Sequence, residues 1–372
     1  MAKLPDSNLA QTAEIAAACA RANVACLMLG SPGVGKTAIA RAVSKQLNMP
    51  CVTLIASNME ATDFAGLPFV DEGHVQRALF PEIEQACDEP VVLFLDEITA
   101  IPRSVEAPML RLALERNAGG RQLHPKSRIL MAGNHPDQAP GGITLSAAMV
   151  NRMVQVKVQP QLDEIANFFA GTPVVPNLSN LLADDDATTA YKNEAEDFSL
   201  AAKHLGDLIE FAPPESSIAD GQPWGSPRAW ELGLRAYSAL ARDYATGQGD
   251  MVGAAILAGV VGTGPALKFL AQRELRKHLP TPDQIANDPE KTPVPSERKY
   301  ELAAITVARR AAEKDYWAAF VWIDRLPSAE IKRATAAMIV QSVPKQVTKN
   351  PKWAPAGAAA LGRLVAYNRA IF

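Results

Sequence analysis

The stretch VACLMLGSPGVGKTAIARAVSKQLN, Val24 to Asn48, decides the reading of this 372-residue chain. VACLML has the length and composition of a strand buried on both faces. Gly30-Ser31-Pro32-Gly33-Val34-Gly35-Lys36-Thr37 then fits G-x-x-x-x-G-K-[ST] between that strand and the helical pattern that follows, the context that gives the pattern its meaning. The glycines let the backbone curl so that successive N–H groups point inward at an anion, and the start of the helix adds its positive end. Lys36 is expected to reach the β- and γ-phosphates of a bound nucleotide, and the Thr37 hydroxyl to hold Mg²⁺. Gly30, Ser31, Pro32, Gly33, Val34, Gly35, Lys36, Thr37 and Ala38 are the expected ATP-binding set.

About sixty residues downstream, VVLFLDEITAIPRS (Val91 to Ser104) runs five apolar residues straight into two carboxylates. An unpaired buried carboxylate is costly, so something positive is expected opposite them. In phosphate-loop enzymes an acid at the end of another core strand completes the Mg²⁺ environment. That assigns Asp96, with Thr37, to the metal. Glu97 directly after it can orient and polarise an attacking water, which points to hydrolysis, whereas a small-molecule kinase must exclude water. ATP and Mg²⁺ are the expected substrate and cofactor.

From residue 8 to 160 helical patterns alternate with short apolar runs, the signature of a parallel sheet flanked by helices. Five strands are expected: Val24 to Leu29, Cys51 to Ala56, Val91 to Leu95, Arg128 to Gly133 and Val154 to Val158. Asp6 or Ser7 is the expected cap of the helix before the first. GLPFVDEGHVQ reads as a hairpin with a Glu-Gly turn, and NAGGRQLHPKS as a turn. After Pro160 strand signals fade. LLADDDATTAYKNEAED reads as irregular, AWELGLRAYSALARDYA and the apolar segment from Met251 to Gly264 as helices, and HLPTPDQIANDPEKTPVPSERK as a linker or extended arm. Two further helical stretches follow, ELAAITVARRAAEKDYWAAFVWIDRL and SAEIKRATAAMIVQSV. The expected architecture is an α/β nucleotide-binding core over 1–160, an all-α lid over 161–278, a proline-rich charged linker over 279–298 and a helical region over 299–372.

Composition narrows the alternatives. A net charge of −3 from 37 basic and 40 acidic residues offers no excess for binding nucleic acid or an anionic membrane. The apolar segment from Met251 is too short and glycine-interrupted to span a bilayer, and the N-terminus lacks a signal-peptide core, so a cytoplasmic protein without membrane insertion is expected. The four cysteines match no zinc spacing and read as buried reduced thiols. The five histidines show no i, i+4 pair, and no nucleophile motif is present.

Three more polar positions extend the pattern. Asn134 ends the strand of RILMAGNHP, Arg152 precedes VQVKV in LSAAMVNRM, and Arg228 opens a helix in GSPRAW. Their order after the phosphate loop and Asp96-Glu97 resembles the AAA+ ATPases. GSPGVGKT, LFLDEITAIPRSVEAPMLRLALE, MAGNHP, LSAAMVNRM and GSPRA are similar to the MoxR family among them, over roughly residues 20 to 235. The resemblance implies that Asn134 is the sensor-1 residue and Arg228 the sensor-2 residue, touching the γ-phosphate from the lid of the same subunit. It also implies that Arg152 is an arginine finger inserted into the neighbouring subunit's site, making hydrolysis conditional on assembly into a ring, generally a hexamer. Many relatives have Gln-Asn-Pro where this chain has Gly133-Asn134-His135-Pro136, and Asp-Arg-Phe where it has Asn151-Arg152-Met153. Arg103, Arg111, Arg116 and Arg121 also lie within the core as rival arginines.

The resemblance further implies a client or co-acting protein, often one with a von Willebrand factor A-type domain. Residues 56 to 80 match the position of the family's insertion after the second core strand. Phe64, Leu67, Phe69 and His74 are candidate partner contacts there, the alternative being that the apolar ones pack the hairpin onto its own domain. Two other functions stand beside the remodelling ATPase: a nucleic-acid motor on the same core, and a scaffold that uses ATP as a slow switch.

Overall fold

Strand β2 (Cys26–Leu29) is buried along its whole length, and its neighbours explain why. In this computed structural model, which describes residues 6–134, 145–172, 178–205, 208–241, 248–276, 279–297, 300–343 and 351–366, ten strands are assigned. The others are β1 (Asp6–Ser7), β3 (Cys51–Ile55), β4 (Leu67–Asp71), β5 (His74–Ala78), β6 (Val92–Asp96), β7 (Asn117–Ala118), β8 (Arg121–Gln122), β9 (Arg128–Gly133) and β10 (Val154–Val158). Six form one sheet in the order β1-β10-β2-β9-β6-β3, every pairing parallel. Parallel strands need crossover helices on both faces, so the central strands are covered on each side and carry continuous apolar runs.

The sheet has one strand more than expected. Asp6 and Ser7 pair with Lys157 and Val158 at the sheet edge and do not cap a helix. The cap is Asn8: its side chain accepts the Gln11 N–H, and the Gln11 side chain accepts the Asn8 N–H in return.

Helix α1 (Leu9–Arg21) follows that cap, and α2 (Lys36–Gln46) follows the glycine loop. The short α3 (Ala61–Ala65) leads into the hairpin β4–β5, whose two-residue turn Glu72-Gly73 has φ of 45° and 79°, the mirror-image geometry that suits strand twist. Then come α4 (Pro81–Asp88), α5 (Arg103–Glu115), the small hairpin β7–β8 around the turn read from the sequence, and α6 (Ala147–Val150). The core beneath them is apolar: Leu27, Leu29, Leu93, Leu95, Met131, Ile83 and Phe64 pack in one cluster. Phe64 is therefore a core residue, not a partner contact, while Leu67, Phe69 and His74 are exposed.

Beyond β10 lie α7 (Leu162–Phe169), α8 (Asp184–Leu205), α9 (Glu215–Asp220), α10 (Pro227–Ser238), α11 (Gln248–Val261) and α12 (Thr263–Arg276). The polar stretch suggested to be irregular is the long helix α8. Three aspartates in its first turn favour the positive helix end, and the Thr188 and Thr189 hydroxyls bond to carbonyls one turn back, so a polar composition does not prevent the helix. Helix α11 is the buried helix expected from Met251 onward. It lies against β10 at Gly259, where a Cβ would stand 2.1 Å from the Gln155 carbonyl oxygen.

The chain divides into two compact units, residues 1–195 with 207–267, and residues 196–206 with 268–372. The second contains α13 (Pro282–Asn287), α14 (Glu301–Lys314), α15 (Tyr316–Ile323), α16 (Ala329–Ser342) and α17 (Ala354–Ala366) around Tyr316, Phe320, Trp322 and Ile339. The proline-rich stretch carries α13, opened by a Thr281–Gln284 capping box, and buries Ile285 and Thr292. It is thus part of this core where a linker was expected. The break between α14 and α15 falls at Asp315, whose carboxylate accepts the Ala318 N–H and caps α15. Among the described residues no helix is long and apolar enough to cross a membrane. Cys19 and Cys26 are buried free thiols; Cys51 and Cys87 are half-buried and also free.

Candidate functional site

Sheet order sets the site. Strands β2, β9 and β6 are consecutive neighbours, with Leu29 beside Gly133 and Leu95 beside Met131, so their C-terminal ends form a row at about 4.8 Å per strand. Gly30, Asn134 and Asp96 leave that row from adjacent strands. Ligands of open parallel sheets bind outside such carboxyl ends.

The glycine loop is shaped as its sequence demands. Gly33 and Gly35 have φ of 79° and 100°, a region only glycine enters cheaply, and Gly35 is the N-cap of α2. Gly30 donates its N–H to the Gly133 carbonyl at 3.2 Å, tying the loop to β9. Lys36 is 8% exposed, and its ammonium donates to the Gly30 carbonyl at 2.7 Å, the Ser31 carbonyl at 3.0 Å and Asn134 Oδ1 at 3.3 Å. Burial pushes the Lys36 pKa below the ordinary lysine value, partly opposed by the negative charge of Asp96.

The expected carboxylate pair is here. Thr37 donates its hydroxyl to Asp96 Oδ2 at 3.1 Å, and Asp96 Oδ1 accepts the Glu97 N–H at 2.9 Å. Two hard oxygens this close beside a phosphate-binding lysine fit Mg²⁺, which takes one or two protein oxygens and fills its shell with water and phosphate oxygens. Among the described residues no cluster of three or more His, Cys, Asp or Glu exists as a different metal site. His135 and His278 lie outside the described residues.

Glu97 adopts φ 58°, ψ 33°. A non-glycine residue held there stores about 1–3 kcal/mol and marks a constrained turn. The conformation swings its side chain to Ser57, whose hydroxyl donates to Glu97 Oε2. Thr99, in the next turn, accepts the Asn134 N–H at 2.9 Å. Sequence reading missed Ser57 and Thr99. Both are small hydroxyl residues with no pattern of their own, and only the juxtaposition of strand ends gives them a role.

The two expected arginines stand elsewhere. Arg152 precedes β10, at the N-terminal edge of the sheet, and lines a cleft of about 290 Å³ with Asn23, Glu115, Arg116, Arg228 and Glu231. One strand length, about 13 Å for the four residues of β2, separates that edge from the glycine loop. Arg228, expected to touch the γ-phosphate of its own chain, lines the same cleft as Arg152. The reason is the start of α10. Ser226 caps the helix, accepting the Ala229 N–H at 3.0 Å, and donates its hydroxyl to Asn151 Oδ1 at 2.5 Å, which fixes the helix beside Arg152.

The rival arginines are engaged. Arg103 pairs with Glu106, Arg111 with Glu115, and Arg121 with both Glu84 and Asp88. Arg116 donates to Asn23 Oδ1 and to the His124 and Ser127 carbonyls at 2.8 to 2.9 Å. Burial, with a smaller contribution from Arg128, lowers the Arg116 pKa to about 10. Arg152 and Arg228 have no ion pair among the described residues.

A glycine loop with its lysine inside, a threonine–aspartate pair beside it and a carboxylate poised next in line define a nucleotide-binding domain of the phosphate-loop class. Residues 26–156 match the model of the AAA family, the ATPase family associated with various cellular activities, and this stretch is an AAA ATPase domain. Similar curated proteins include the ATP-dependent zinc metalloprotease FtsH of Slackia heliotrinireducens, 38% identical over 79 residues, 21% of this chain and 9% of that protein. FtsH 1 of Sorangium cellulosum is 39% identical over 79 residues, 21% of this chain and 12% of its own length. The chain thus spans about a tenth of the length of the curated relatives it matches. A crystal structure of an ATPase candidate from Cytophaga hutchinsonii aligns with a TM-score of 0.40 at 14% identity, over 66% of this chain and 78% of that one.

Proposed function

We propose that this chain is a MoxR-type AAA+ ATPase that hydrolyses Mg-ATP at the interfaces of a ring, most simply a hexamer, and uses the cycle to remodel or activate a partner protein. The observation that carries the reading is the division of charge across the sheet. The phosphate-binding and water-activating groups stand at one edge, and two arginines with no ion pair among the described residues stand at the other, about a strand length away. An arginine pair at the far edge of the sheet is placed to serve a neighbour's nucleotide.

Each residue then has a role. Lys36 leaves its loop carbonyls for the β- and γ-phosphate oxygens. Thr37 and Asp96 would hold Mg²⁺, which when bound would supply charge neutralisation for the transferring group. Glu97 accepts a proton from water as the water oxygen bonds to the γ-phosphorus and the bond to the β–γ bridging oxygen breaks, leaving ADP and phosphate. Asn134 holds the outer side of the γ-phosphate or the water. Arg152, with Arg228 beside it, stabilises the developing charge in the adjacent subunit, a contribution of about 10³ to 10⁵ in rate for arginine fingers. The exposed hairpin β4–β5, with Leu67, Phe69, Val70 and Val75 on its surface, is the proposed contact for a client or for a co-acting protein with a von Willebrand factor A-type domain.

The test is mixing. Glu97→Gln and Arg152→Ala should each be inactive alone, with Glu97→Gln retaining Mg-ATP. Combined, they should recover part of the wild-type rate, because a ring containing both has interfaces with an intact Glu97 facing an intact Arg152. No recovery, in rings shown by mass to contain both chains, would overturn the assignment of Arg152 across the interface.

A further inference from the structure

We propose that Thr99 is a positioning residue for hydrolysis, locking the turn that carries Glu97 to Asn134, and that Gly133 is a glycine because Thr99 occupies the place of its side chain. The inference rests on the ATPase reading above.

Thr99 is 3% exposed and lies in the short turn Ile98–Ala100. That turn begins at Glu97, whose carbonyl accepts the Ala100 N–H at 3.0 Å. Across it, Thr99 Oγ1 accepts the main-chain N–H of Asn134 at 2.9 Å. A Cβ on Gly133 would stand 2.6 Å from Thr99 Cγ2 and 2.9 Å from its Oγ1, closer than a Cβ carbon comes to a non-bonded neighbour, so something would have to shift. The same Gly133 gives its carbonyl to the Gly30 N–H, and the Asn134 side chain takes a hydrogen bond from Lys36. Thr99 thus ties the Glu97 turn to the end of β9, and Gly133 and Asn134 tie that same strand end to the glycine loop.

The position of that bond gives it a role. Asn134 lies just past β9, where the ladder no longer holds its N–H. Without Thr99 the amide side chain could shift relative to the Glu97 carboxylate, although the two must flank the same water. A group misplaced by about 1 Å can cost up to about 10²-fold in rate.

Thr99→Val keeps the shape and removes the acceptor, and Thr99→Ser keeps the hydroxyl. In full-length protein, Thr99→Val should lower kcat about tenfold with KM for Mg-ATP within about twofold, and Thr99→Ser should stay within about threefold of wild type. In nucleotide-free protein labelled with ¹⁵N-asparagine, hydrogen exchange at the Asn134 N–H should quicken about five- to tenfold in Thr99→Val and stay unchanged in Thr99→Ser. Gly133→Ala should melt well below wild type. Adding Thr99→Ala to it should recover the melting temperature while kcat stays low, which separates packing from positioning. A Thr99→Val protein with wild-type kcat overturns the proposal, and so does a slowed one whose Asn134 exchange is unchanged. If the wild-type chain hydrolyses no ATP while Lys36→Ala binds nucleotide normally, the ATPase reading fails instead, and Asn134 exchange still decides whether Thr99 holds the strand end.

Discussion

Ser226 donates its hydroxyl to Asn151 at 2.5 Å, joining the residue before Arg152 to the helix whose second residue is Arg228. That bond makes two arginines 76 positions apart into one feature. It also caps α10 through the Ala229 N–H. Ser226→Ala should therefore cost about 1 kcal/mol of stability from the lost cap. It should also lower ATPase activity more at saturating protein concentration than the stability loss explains. Urea unfolding and steady-state kinetics separate the two effects.

Arg116 should not tolerate lysine. Its planar guanidinium reaches one side-chain amide and two carbonyls in fixed directions, an arrangement an ammonium on a flexible stem cannot copy. Arg116→Lys should destabilise by about 2 kcal/mol, because buried acceptors lose their donors. Chemical denaturation checks this, and equal stability of the two proteins would refute it.

Gly259→Ala tests the packing of α11 on β10. The added methyl would meet the Gln155 carbonyl oxygen at 2.1 Å, and neither backbone can yield without moving the strand that follows Arg152. A loss of about 3 kcal/mol is expected, the upper end for overpacking. Gly264→Ala, with open space around its Cβ, is the control and should change stability little.

Nucleotide binding should become proton-linked at alkaline pH. Burial lowers the Lys36 pKa below 10.5, so this lysine loses its proton earlier than a free one as pH rises. The unfolded chain holds more protons in the window between the lowered value and 10.5, so folding stability contributed by Lys36 rises with pH there while phosphate affinity falls. Mg-ATP, favouring the ammonium, should bind Glu97→Gln with proton uptake in that window. Calorimetry in buffers of different ionisation enthalpy measures the uptake, and Lys36→Arg should abolish it.

Much of the nucleotide site was legible beforehand because local chemistry specifies it. Gly33 and Gly35 require their φ values whatever surrounds them, Lys36 and Thr37 follow at fixed helical spacing, and VLFL can be continuous only in a strand covered on both faces. The hairpin turn Glu72-Gly73 was readable for the same reason. Where sequence reading erred, a distant partner decided. Asp6-Ser7 looks like a capping pair until β10 offers an open edge, the acid-rich start of α8 looks like a loop until its helix forms, and the prolines around Ile285 look like a linker until a core receives that side chain.

The sequence by itself determined that a glycine loop, Lys36, Thr37, Asp96 and Glu97 form one phosphate-handling unit, since each lies at or just after a strand end and its conformation is set within a few residues. Only the tertiary structure decided on which side of the sheet each arginine stands, that Phe64 is core, and that Ser57, Thr99 and Gly133 belong with the carboxylates. Those facts depend on strand order and register. The order β10-β2-β9-β6 places residues dozens of positions apart within hydrogen-bond reach, and no local preference carries that information.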